Sequence, residues 1–256
     1  MSSPSSAESV LQALGITDPS EIDLEAIAWH LGGRVKFCNL DGCEARIIGY
    51  GNNAIVRVQQ HSHPRRRRFS IGHELGHWHY HRGRMLFCRS NEIGDDNRTV
   101  SHVERTANLY AADLILPRYL FNPIIQQFTR LDFDAIRKVA SLFEASLTAT
   151  AIRAVNSGYH SAVLVCHNRN GRKWFCRSSD VSDTWFPHND LDYESFAFEL
   201  LFGGGNEEKH PRLIGADAWF NRRDAQRFDV HEHSVRIAND EILTLLQIID
   251  DGMLAD

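Results

Sequence analysis

The stretch Arg68-Phe-Ser-Ile-Gly-His73-Glu74-Leu-Gly-His77-Trp-His-Tyr-His81 constrains this chain more than any other. It contains H-E-x-x-H, and as a helix it sets His73 and His77 one turn apart on one face. Two neutral imidazoles so placed can grip one divalent cation, and zinc suits them. Glu74, beside the first histidine, is an ionised carboxylate that can take a proton from water at such a site. The competing reading is a polar surface helix with scattered histidines, since the chain holds 14 of them. A catalytic zinc site uses three protein ligands and keeps one position open, so a third ligand must come from elsewhere.

Residues 84–100 are loop-like, and Ser101-His102-Val-Glu104-Arg-Thr-Ala-Asn108-Leu-Tyr110-Ala111-Ala112-Asp-Leu-Ile115-Leu116-Pro117 follows with helical periodicity. Glu104 has two readings. With Ser101 as N-cap it takes the capping-box place. It also shares a face with Asn108 and with Ala111 or Ala112, whose small side chains let this helix lie close to the first. A carboxylate from this second helix completes a His-His-Glu set. Asp95, Asp96 and His102 are weaker candidates for the same role.

Together the two segments resemble the ImmA/IrrE family of metallopeptidases. The family shares an Arg-Phe lead into H-E-L-G-H and a later E-x-x-A-N-x-F-A-A-x-L-L-x-P segment. Here Tyr110 stands for the usual phenylalanine, and Ile115-Leu116 for Leu-Met. The resemblance runs from about residue 20 to residue 158. It implies a zincin-like fold, metal ligation by His73, His77 and Glu104, and Glu74 as general base. The expected ion is Zn2+, with another divalent metal such as Mn2+ as the variant. It further implies a protein substrate, a helix-turn-helix repressor whose cleavage switches on stress-response or mobile-element genes.

The rest of the chain is read around that site. With 256 residues, 43% hydrophobic and 24% charged, it is an ordinary globular chain of one large or two modest domains. Its apolar runs are too short to span a bilayer. The small polar start reads as a flexible tail over 1–20 and not a signal peptide. Five scattered cysteines without a C-x-x-C pair point to free thiols and the cytoplasm. A net charge of −5 does not invite nucleic acid.

The fold class is α+β. A metallopeptidase domain is expected over 21–130. Asp23 caps a helix that Gly32-Gly33 ends. Strand patterns at 34–39, 45–50 and 54–59 predict a small antiparallel sheet before the motif helix. Ser70 is the expected cap of that helix, which leaves Arg65 to Arg68 in an exposed loop and His61 and His63 facing solvent. An amphipathic helix pair over 131–158 is helix-turn-helix-like, but its second helix has Arg153 and few other groups that could read bases, so it reads as packing, and direct DNA binding is not expected. Residues 159–256 read as a smaller α+β domain with hairpins at Asn170-Gly171 and Asn239-Asp240. A sensory or substrate-docking role for it is analogy. Tyr80, His81, His102 and Tyr110 stay open as transition-state donors. The alternative function is a non-proteolytic regulator of protein or DNA with a structural metal site, and an intact Glu74 favours the enzyme.

Overall fold

Local caps set the first elements. Asp23 accepts the N–H groups of Glu25 and Ala26 at 2.9 and 3.1 Å and opens α2 (Leu24–His30). Gly32, at φ 82°, turns the chain out of that helix. Ahead of it α1 (Ser6–Ala13) buries Ala7 and Leu11. Residues 6–13, inside the segment expected to be a tail, are therefore helical, held by apolar burial. This is a computed structural model, and it describes residues 6–80 and 102–254.

Strands β1 (Gly33–Cys38), β2 (Ala45–Tyr50) and β3 (Asn53–Gln59) form a sheet of order β1-β3-β2. β2 and β3 make an antiparallel hairpin, but β1 runs parallel to β3 with Val35 opposite Val56. The sheet is mixed, not antiparallel as expected. The loop over 39–44 causes this by crossing the end of β3, where the Gln59 Nε2 amide donates to Leu40 O and the Gln59 N–H to Glu44 O, both at 2.8 Å. On one face Ala45, Ala54, Val56 and Val58 are buried.

Helix α3 (Pro64–Tyr80) packs on that sheet. It begins well before Ser70. The His63 carbonyl accepts from the N–H groups of Arg66 and Arg67 at 2.9 and 3.0 Å, and His63 Nδ1 accepts the Arg65 N–H at 3.3 Å. Pro64 suits a first turn because its missing N–H has no partner to lose there. Arg65 to Arg68 are thus helical, and Ser70 lies buried inside the helix and does not cap it.

Every residue of α3 from Ser70 to Trp78 is buried. A polar helix enclosed all round needs very close neighbours. One is α4 (His102–Ile115). A Cβ added to Gly76 would lie 2.9 Å from Ala107 Cα and 3.0 Å from its carbonyl oxygen, and one on Gly72 would lie 3.2 Å from Ala111 Cα. Trp78 secures a second side. Its Nε1–H donates to Leu31 O at 2.8 Å, and a Cβ on Gly49 of β2 would meet its ring at 2.4 Å.

By contacts the chain forms two compact units. One holds the described residues up to Pro123 with 140–146, and the other holds 124–139 with 147–254. Helices α5 (Arg118–Ile125) and α6 (Phe133–Leu142) each contain a boundary. In the second unit follow α7 (Leu147–Asn156), β4 (Ala162–Asn168), β5 (Gly171–Arg177), α8 (Phe196–Phe202), β6 (Arg212–Gly215), β7 (Asp229–Ala238) and β8 (Glu241–Ile248). The strands make an antiparallel sheet of order β5-β4-β8-β7-β6, with both expected hairpins present. Trp185, Trp219 and Phe220 fill the core on it. Buried Glu232 on β7 accepts from Phe196 N, Ala197 N and Trp219 Nε1 at 3.2, 2.7 and 3.1 Å, which fixes the start of α8. The class is α+β, as expected.

Gly76→Ala would drive a methyl group into the backbone of α4. It is expected to lower stability by about 1–3 kcal/mol, the usual cost of overpacking, and Gly72→Ala by less. Thermal unfolding of both variants checks this, and an unchanged Tm for Gly76→Ala would contradict so close a contact.

Candidate metal centre

The contact between α3 and α4 brings three side chains to one point. His73 Nε2 lies 3.1 Å from a Glu104 oxygen, His77 Nε2 lies 3.4 Å from the other, and the two Nε2 atoms are 3.0 Å apart. His73 and His77 are 0% and 1% exposed, and Glu104 is 8% exposed. Among the described residues this is the group of histidine, cysteine and carboxylate side chains that could hold a metal ion. His102, a weaker alternative in the sequence, is exposed at the start of α4 and outside the group. Asp95, Asp96 and His81 lie outside the described residues.

The protonation states suit a cation. The His73 Nδ1–H donates to Asn108 Oδ1 at 2.9 Å. That bond fixes the tautomer and leaves Nε2 with a lone pair aimed at Glu104 and His77. Burial lowers the His73 pKa and so favours the neutral ring. Burial works to raise the Glu104 carboxyl, but the His73 and His77 rings beside it outweigh that effect and hold the group at about 2. Two imidazoles and an ionised carboxylate therefore point acceptor atoms at one another. Tetrahedral zinc with bonds of about 2.0–2.1 Å needs its ligands roughly 3.3 Å apart; the two Nε2 atoms, 3.0 Å apart, are near that spacing, and Glu104 offers an oxygen to each ring at 3.1 and 3.4 Å.

Glu74 is fully buried on α3, next in sequence to His73. The aromatic residues behind the group are ordered by stacking. His79 stacks on Tyr110 at 5.2 Å, and Tyr80, which is hydrogen-bonded to Ser6, meets Tyr110 edge-on at 5.9 Å. Three contributors were not singled out from sequence. They are Asn108 as the partner of His73, the pair Gly72 and Gly76 as the helix contact, and Trp78 as the anchor. Two glycines inside a helical pattern are the signal that could have found the contact, because they mark close backbone approach.

Residues 30–155 match the family model described as IrrE N-terminal-like domain, a peptidase family. That segment belongs to the ImmA/IrrE family. A solved structure of a Mycobacterium tuberculosis transcriptional regulator superposes with a TM-score of 0.58 at 13% identity, covering 94% of this chain and 86% of that one. At that identity the likeness is one of fold. No curated protein matches the chain in sequence. No described helix is long and apolar enough to cross a membrane.

The Tyr110 hydroxyl is buried and has no hydrogen-bond partner among the described residues, and burial raises its pKa to about 12. Removing an unsatisfied buried hydroxyl is expected to leave stability unchanged or to raise it by about 1 kcal/mol. Denaturant unfolding of Tyr110→Phe measures this, and a clear loss of stability would show that the hydroxyl is satisfied.

Proposed function

We propose that this chain is a zinc-dependent endopeptidase of the cytoplasm, and that it cleaves a helix-turn-helix transcriptional repressor to release stress-response or mobile-element genes. The observation that carries the reading is the convergence of His73, His77 and Glu104, with Glu74 buried on the same helix next in sequence to His73. His73 Nε2, His77 Nε2 and a Glu104 oxygen would hold the cation. When bound it supplies Lewis-acid polarisation of the scissile carbonyl and of the attacking water. Asn108 keeps the His73 ring in the ligating tautomer. Glu74 takes the proton of the attacking water and passes it to the leaving amine. The repressor substrate is what the family resemblance implies, and the structural neighbour, a protein named as a transcriptional regulator, is in keeping with it. The same neighbour supports the second reading, a non-proteolytic regulator with a structural metal site. Glu74 weighs against that reading, since a structural site has no use for a base.

The test incubates the full chain with a repressor encoded beside it. Cleavage should stop on chelation and return with Zn2+, with Mn2+ tried in parallel. Glu74→Gln should keep one metal per chain and lose at least about a hundredfold in rate, the usual scale of a general base. A metal-loaded chain that binds the repressor without cutting it would decide for the regulator.

Glu104→Ala should weaken metal binding far more than it weakens folding, because it opens a second position to water. Competition with a chromogenic chelator measures the affinity. Full retention would move the third ligand to another residue.

A further inference from the structure

The face of the N-terminal sheet turned away from α3 has an unusual composition. Cross-strand pairing sets Lys36 opposite Arg57 and Arg57 opposite Arg46, so three cations form one row across all three strands. In the next row Arg34 lies opposite Ile55, which lies opposite Ile48. No aspartate or glutamate occurs in β1, β2 or β3. Like charges directly opposite on a sheet destabilise it. Arg34, Lys36, Arg46 and Arg57 take part in no ion pair among the described residues. The nearby Glu44 carboxylate is engaged by the Ser62 hydroxyl at 2.6 Å, and the Arg46 Nε is buried without a hydrogen-bond partner. In a chain of net charge −5 this concentration of cations is not background.

Beside the cations the face is apolar. Ile48 is 54% exposed, Ile55 37% and Tyr50 91%. We propose that this open sheet face docks an acidic, amphipathic segment of a protein partner, with carboxylates on Lys36, Arg57 and Arg46 and aliphatic side chains on Ile48 and Ile55. Charge complementarity sets the sign of the partner. The aliphatic pair decides its class. Single-stranded nucleic acid needs successive aromatic platforms on which bases stack; Tyr50 at the end of β2 is a single exposed ring, the Trp29 ring is covered by Arg34 at 4.7 Å, and Ile48 and Ile55 suit the apolar side of a peptide. The face lies across the same sheet from the metal helix, about 10 Å away by ordinary packing. It would recruit a substrate without touching the chemistry. This deepens the peptidase reading by naming the partner's chemistry, but its test needs no cleavage.

The test is fluorescence anisotropy of the full chain with a labelled peptide of alternating Glu and Leu, alongside labelled oligo-dT. Salt-sensitive peptide binding is expected, weakened at least about tenfold by Lys36→Glu with Arg57→Glu and about threefold by Ile48→Ser. Oligo-dT should bind more weakly and ignore Ile48→Ser. Metal content equal to wild type shows that the variants are folded. Chelated protein and Glu74→Gln should bind the peptide normally, so a failed peptidase assay leaves this result interpretable. No peptide binding, binding that survives the charge reversal, tighter binding of oligo-dT, or a dimer that the reversal dissolves would each overturn the proposal, the last by giving the face to a second copy.

Discussion

The candidate metal centre depends on how closely two helices approach. Helices with ordinary side chains between them lie about 8–10 Å apart. Positions 72 and 76 of α3 carry no side chain, and α4 answers with Ala107 and Ala111. Backbone therefore meets backbone, and the short arm of Glu104 reaches both imidazoles. The same approach sets Asn108, one turn further along α4, against His73. Trp78 acts from the other side, seating α3 on the sheet through the space that Gly49 leaves open. Ligand geometry is thus set by residues with no chemistry of their own.

Two buried glutamates show two ways of enclosing a carboxylate. Glu232 is surrounded by donors, with two backbone N–H groups, the Trp219 indole and the Ser234 hydroxyl within hydrogen-bond distance. It is a closed structural network, and nothing further is asked of it. Glu104 faces two imidazoles, one of them already fixed as an acceptor by Asn108. An arrangement of acceptors is incomplete without a cation, whereas an arrangement of donors around a carboxylate is complete. The distinction separates a site from a staple more sharply than burial does, since both glutamates are buried.

Much of this was legible in the sequence where local chemistry decides structure. The H-E-x-x-H spacing, the Asp23 cap and the hairpins at Asn170-Gly171 and Asn239-Asp240 are short-range signals, and each is present. What depended on distant partners was not legible. Periodicity gives β1 its strand but cannot say that its neighbour is β3 and that they run parallel. Four consecutive arginines read as loop because charge suggested exposure, yet His63 and Pro64 form an adequate helix start without a serine. Ser70 looked like a cap because serine is common there, and tertiary packing buried it instead. The row Lys36, Arg57 and Arg46 is scattered in sequence and exists only through strand register.

The division of the chain bears on its synthesis. The first compact unit is not a continuous segment, because residues 140–146 belong to it after the chain has left for 124–139. The Arg68 guanidinium, which ends the arginine run before the metal motif, waits for its Glu144 partner at 3.2 Å from that late segment. A nascent chain emerging in order from the ribosome therefore cannot close its first unit when Pro123 appears. Until about twenty further residues have been added, α3 and α4 must hold together through their own contacts, without the 140–146 segment.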